Sequence, residues 1–183
     1  ASSSQTVAIG WSTTASAAES AAFSGRGALA SGSRSLALGN FASATCQDAL
    51  AISNEGSGYY TCASAIKAIA IGSRALSNIR GKLAVSNGAF SVNGDSQSGT
   101  FILRSDTTDA TAEALTTDNT TAATNNQVIL PNNSAFAFHG TIVARQSAAQ
   151  GTASAAWKVE GLIRREANAA ATVLVNSATT VLD

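Results

Sequence analysis

Four carboxylates, Asp106, Asp109, Glu113 and Asp118, crowd into the stretch SDTTDATAEALTTDNTTAATNNQ, residues 105–127. Acids this close could act as a general acid and a nucleophile on a glycosidic bond, or ligate calcium through oxygen. Their surroundings favour neither. No aromatic residue lies in the stretch to carry a sugar, and the Asp-x-Asp-x-Asp-Gly spacing of a calcium loop is missing. The stretch reads as a solvated Thr/Asn/Asp-rich connector, with an ordered loop between strands left open for part of it.

Nucleophilic catalysis needs a base beside the nucleophile, and His139 is the only histidine. Its setting, FAFHGTIVA, alternates like a strand, so a structural or surface histidine is expected. Cys46 and Cys62 stand 16 residues apart, a spacing that matches no zinc or redox motif. A disulfide and two unlinked thiols both remain open. GSGYY, GNFASATC and SGRGALASG supply glycines but not the strand, glycine-rich turn and lysine of a phosphate cradle. No catalytic, cofactor-binding or metal-binding residue is therefore expected, and no cofactor.

One loop stands apart. NEGSGYYTC holds Tyr59 and Tyr60, the only two tyrosines, and interrupts an otherwise regular repeat. A loop projecting from a rigid scaffold is a common site of recognition, and tyrosine gives contact area at low entropic cost. Receptor binding by this pair is the functional expectation; packing of both rings on a neighbouring chain is its rival. Arg26, Arg34, Arg74, Arg80 and Lys82 could form a weak basic line, or simply keep the surface soluble.

The elements that carry these residues must be built from unusual material. Alanine supplies 39 of 183 residues, against ten aromatics and no methionine. A buried alanine removes little surface from water, so a lone globule of this composition would be weakly held. Repetition and association with other chains are expected to make up the deficit. Net charge is zero, which gives a nucleic-acid partner no electrostatic support. No apolar run reaches the roughly 18–20 residues that span a bilayer, so membrane insertion is not expected. The opening ASSSQ reads as an excerpt from a longer polypeptide.

The repeat lies in the first half: Val7-Ala-Ile-Gly10, Ala21-Ala-Phe-Ser24, Leu36-Ala-Leu-Gly39, Leu50-Ala-Ile-Ser53, Ile69-Ala-Ile-Gly72 and Leu83-Ala-Val-Ser86. Successive spacings are 14, 15, 14, 19 and 14. A weaker second arm falls between them, at Ala15–Ala17, Ala28–Ala30, Ala42–Ala44, Ala63–Ala65 and Ala89–Ser91. Alternation with period two predicts strands, and a Gly or Ser after every triplet argues against a helix. Two short strands and two turns make one coil, and stacked coils make a solenoid with strands paired in parallel.

So narrow a coil admits only small side chains, which accounts for Ala8, Ala22, Ala37, Ala51, Ala70 and Ala84. The larger neighbours must face outward as an apolar ladder, more than a monomer usually exposes. Burial between three copies about a common axis is expected. The predicted trimer interface comprises Ile9, Phe23, Leu36, Leu38, Leu50, Ile52, Ile69, Ile71, Leu83 and Val85.

Serine and glycine concentrate before Gly99 and threonine after it. That shift divides the chain into a repeat domain, residues 1–99, a polar connector, 100–126, and a module, 127–183. Strands are predicted at Gln127–Leu130, Ser134–Gln146, Ala155–Arg165 and Ala170–Val175. They would form an antiparallel sheet or half of a β-sandwich, with Phe136, Phe138 and Trp157 in its core.

The x-Ala-x-Gly units at a period of 14 resemble the head repeats of trimeric autotransporter adhesins. That resemblance implies a left-handed parallel β-roll assembled as a trimer; serine in three units and the five-residue insertion depart from it. NNQVILPNNSAFAFHGTIVARQ and AAWKVEGLIRREANAAATVLV resemble a domain at the C-terminal ends of bacteriophage tail-fibre proteins, which implies further strands after Asp183. Together these imply an all-β virion component: a homotrimeric tail fibre or spike, or a capsid-attached fibre, that binds a bacterial surface glycan or protein and other tail or capsid proteins. The alternative is the head of a bacterial trimeric adhesin at the cell surface. A spike enzyme cleaving surface polysaccharide is a third reading.

Overall fold

Alternation of small and large residues closes the first half of the chain into two facing sheets. The computed structural model describes residues 1–56, 59–147 and 153–182. It is all-β, a parallel solenoid of about six turns followed by an antiparallel sheet. The solenoid strands are β1 (Val7–Trp11), β2 (Thr14–Ala15), β3 (Ala21–Arg26), β4 (Leu29–Ala30), β5 (Leu36–Leu38) and β6 (Ala42–Ala44). They continue with β7 (Leu50–Ser53), β8 (Thr61–Ala63), β9 (Ile69–Ser73), β10 (Leu76–Ser77), β11 (Leu83–Asn87) and β12 (Ser98–Thr100).

β1, β3, β5, β7, β9 and β11 pair in that order and in parallel, and β12 closes the end antiparallel to β11. The register sets alanine on alanine up the whole stack, Ala8, Ala22, Ala37, Ala51, Ala70, Ala84. Five of these are fully buried, and Ala8, in the first coil, packs partly exposed against the cluster. β2, β4, β6, β8 and β10 form the opposing sheet and contribute Ala15, Ala30, Ala44 and Ala63, also fully buried. The core is thus a double row of methyl groups.

The last second-arm strand is Leu76–Ser77, not Ala89–Ser91, which lies in a turn region. The fourth begins at Thr61, ahead of the predicted Ala63. In both coils the chain enters the second sheet directly after the corner, and the residues that pair there are Cys62 with Leu76 and Ala63 with Ser77. An alanine–x–alanine pattern could not anticipate Leu-Ser in that role.

Each coil is entered through one residue in the left-handed region: Gln5, Glu19, Arg34, Asp48 and Lys67, with Gly81 at the equivalent place. This corner stacks alternating charges. The Nε of Arg34 lies 2.7 Å from Asp48 Oδ1, and that hydrogen bond holds the Asp48 carboxyl below the usual carboxylate range. Such exposed pairs contribute modestly, but in register they oppose slippage between coils.

Outward side chains make two apolar columns, Val7, Ala21, Leu36, Leu50, Ile69, Leu83 and Ile9, Phe23, Leu38, Ile52, Ile71, Val85. The β12 end is plugged. Lys82 is only 6% exposed; its Nζ donates to the carbonyl of Leu76 at 2.9 Å and lies 5.9 Å from the Phe101 ring centroid. Burial lowers its pKa to about 8. Gln97 closes the same opening by accepting from Leu76 N and donating to Leu76 O.

Ala1–Val128 form one compact unit and Ile129–Asp183 a second. Residues 100–126 belong to the first and have local order: Arg104 and Thr116 form a bridge, and Arg80 N donates to Asn125 O at 2.9 Å. The second unit is one sheet of β13 (Ser134–Arg145), β14 (Ser154–Arg165) and β15 (Thr172–Leu182). β15 runs further than the predicted Ala170–Val175, and Gln127–Leu130 forms no strand. Most of the predicted hairpin loop, Ala148–Thr152, lies outside the described residues. Phe136 pairs with Ile163, Phe138 with Gly161 and Ile142 with Trp157, all on one face. That face is half-exposed, because the described sheet has no second layer. Among the described residues no helix is long and apolar enough to cross a membrane.

Candidate functional site

The interrupted coil assembles a site that no single motif announced. The corner opposite the charged ladder carries Trp11, Arg26, Phe41, Tyr60 and Arg74 in successive coils. Backbone hydrogen bonds fix the order: Gly27 N donates to Trp11 O, Phe41 N to Arg26 O, and Thr61 N to Phe41 O. Trp11 pairs directly with Arg26 across β1 and β3.

The side chains of this corner touch. The Arg26 guanidinium lies 5.2 Å from the Trp11 ring centroid and 5.6 Å from that of Phe41. Phe41 meets Tyr60 edge to face at 5.6 Å. Arg74 sits over Tyr59 at 4.0 Å. Aromatic pairs and cation–ring contacts of this kind each contribute on the order of 0.5–1.5 kcal/mol. Gly27 makes room, since a Cβ there would come within 3.2 Å of the Phe41 ring.

The two arginines differ in how they are held. Arg74 Nε donates to Asn93 Oδ1 at 3.2 Å and its Nη2 to Ser91 O at 2.8 Å. Asp95 folds that supporting turn by accepting from the backbone of Phe90, Ser91 and Val92, bonds that hold its carboxyl below the usual range. Glu55 is buried and accepts from Ser73 Oγ and Gly56 N. Arg26 has only the two rings: among the described residues its guanidinium forms no ion pair or hydrogen bond. The ridge is nonetheless open, with Trp11 66%, Tyr59 52% and Tyr60 40% exposed.

The basic residues that could have formed a line have separate roles. Arg34 is paired with Asp48, Arg80 Nε lies 3.6 Å from Asp118, and Lys82 is buried. Arg26 and Arg74 stand among rings, and the repeat carries a cue to this: Arg26 falls at the position of Trp11, and Arg74 at that of Phe41 and Tyr60.

The connector carboxylates are engaged locally. Glu113 accepts from Ser105, Asp106 from Asn119, Asp109 from Thr111, and Asp118 from Thr120 and Asn126. The Thr111 and Thr120 bonds hold Asp109 and Asp118 below the ordinary carboxylate range. No cluster of three or more potential metal ligands occurs among the described residues. His139 is exposed on β13, in register with Glu160.

Cys46 and Cys62 are unlinked, and burial raises the Cys62 thiol. Of the ten predicted interface residues, Ile9, Phe23 and Val85 are exposed; Leu36, Leu38, Leu50, Ile52, Ile69, Ile71 and Leu83 are half-buried on the outer solenoid face. Comparison with family models, curated proteins and solved structures found no match to this chain.

Proposed function

We propose that this chain is a structural and adhesive, non-enzymatic part of a homotrimeric bacteriophage fibre or spike that attaches the virion to a bacterial surface. The observation that carries the reading is the double apolar column on the outer solenoid face. Ile9, Phe23, Leu38, Ile52, Ile71 and Val85 run in register up the stack, and among the described residues of the solenoid no further sheet covers them. Apolar surface arrayed along a straight axis is covered economically by copies about a parallel symmetry axis. Three copies would present identical corners at fixed spacing, and multivalency would raise effective concentration at a cell surface. The ridge of Trp11, Phe41 and Tyr60 supports recognition because it is aromatic and, at Trp11 and Tyr60, exposed.

The attachment partner within the virion would be a tail or capsid protein, and the receptor a surface glycan or protein. The repeat units also support a second reading as the head of a bacterial trimeric adhesin. The antiparallel sheet after the solenoid supports the virion reading, through the resemblance of its strands to tail-fibre ends.

Light scattering coupled to size exclusion, run beside an adsorption assay on bacterial cells, tests the proposal. The expected result is a mass of three chains and saturable adsorption. A well-folded single chain would sink the trimer, and absence of adsorption across a broad host panel would sink the attachment role.

A further inference from the structure

We infer that the corner formed by Trp11, Arg26, Phe41 and Tyr60 is a binding track for an extended acidic polysaccharide. The inference deepens the attachment reading and rests on it. Successive coils are spaced by about 4.8 Å, so the four residues span about 14 Å along the solenoid axis. The spacing is comparable to the length of one pyranose unit, and a linear polymer laid along the corner meets a new side chain with each sugar. Aromatic faces suit the C–H faces of pyranose rings. Arg26 lies between two such rings and, among the described residues, has no carboxylate partner. A guanidinium prepared in this way favours a carboxylate, to which it can donate two parallel hydrogen bonds. Tyr59, held against Arg74, flanks the track at the interrupted coil.

Single-stranded nucleic acid also stacks on rings, but it needs a positive groove following its phosphates. Here Arg26 is the one cation on the track without polar partners among the described residues, and the chain carries no net charge. That balance favours a polymer with a carboxylate on a sugar ring.

The test uses the full chain in its native oligomeric state, titrated with polygalacturonate, polymannuronate and polysialic acid. The fully methyl-esterified form of each polymer and a single-stranded oligonucleotide serve as comparison ligands. At least one acidic polymer should bind, and its methyl ester should bind at least about tenfold more weakly. Arg26→Gln should lose a similar factor for the acid and little for the ester, whereas Arg34→Gln, at the opposite corner, should lose nothing. Trp11→Ala should weaken acid and ester alike. Unchanged circular dichroism and oligomeric mass establish that each variant folds.

Failure of all three acidic polymers to bind, equal binding by Arg26→Gln, or preference for the oligonucleotide would overturn the inference. Shielding of Trp11 and Tyr60 from solvent quenchers in the assembled protein would overturn it too, since the rings would then be packing groups. Polymer binding that depends on Arg26 without cell adsorption would sink the attachment reading alone. Adsorption with no polymer binding would sink the track alone.

Discussion

A Cβ placed on Gly39 would overlap the carbonyl oxygen of Ser53 in the next coil. Gly10 stands in the same relation to Ser24, and Gly72 to Ser86. Glycine and serine therefore alternate up the stack for a reason: one coil gives up its side chain so that the next can approach. The serines use theirs at the corner. Ser24 Oγ donates to Arg26 O, Ser53 Oγ accepts from Glu55 N, and Ser86 Oγ donates to Gly88 O. Serine at those units is a partner to the glycine of the preceding coil.

Gly39→Ala should destabilise the fold by about 2–4 kcal/mol, because it adds a backbone clash to strain at a positive φ. Gly56, beside which a Cβ meets nothing within 4 Å, is the comparison: Gly56→Ala should change stability by less than about 0.5 kcal/mol. Denaturant midpoints of the two variants check the pair.

The methyl-lined core should reject bulk. Ala51 is fully buried between Ala37 and Ala70. Ala51→Leu should cost about 1–3 kcal/mol through overpacking, or abolish folding if the coils cannot part. Thermal unfolding against the parent protein measures it, and a stabilised variant would show that the core has room.

Stability should rise with alkalinity over a defined window. The folded-state pKa of Lys82 is depressed to about 8, below the ordinary lysine value of about 10.4. Between those values the unfolded chain binds more protons, so raising the pH favours the folded state. From pH 7 to pH 9 the gain should be about 1 kcal/mol. Above that range the raised Cys62 thiol acts in the opposite sense, as the unfolded thiol ionises first. Unfolding midpoints for wild type and Lys82→Met should show the slope in the former and flatten it in the latter.

A charge in the apolar columns should act on assembly more than on the coil. Ile52 projects outward and is half-buried, so Ile52→Asp should leave the circular dichroism of the solenoid intact. The scattering mass should drop toward a single chain. An unchanged oligomer would place the interface elsewhere.

Much of this architecture was written in the chain. The alanine at the second place of each unit must be buried in a slim coil, because period-two alternation leaves it no other face. The register follows from stacking like on like, from Ala8 to Ala84. The antiparallel pairing of Ser134–Arg145 with Ser154–Arg165 was legible from period-two alternation, Phe136, Phe138 and Ile142 on one strand and Trp157, Val159 and Gly161 on the other.

What tertiary structure alone decided is which residues of distant coils share a corner. Arg34 became half of an ion pair, Lys82 a buried plug and Arg26 a cation between two rings, although all three look alike as isolated basic residues. Their fates depend on the turn at which each leaves its coil and on what lies 14 to 19 positions away. Periodicity reports which way a side chain faces along its own strand. Only the stacked backbone, with its insertion at Tyr59 and Tyr60, brings particular side chains from separate coils within contact distance.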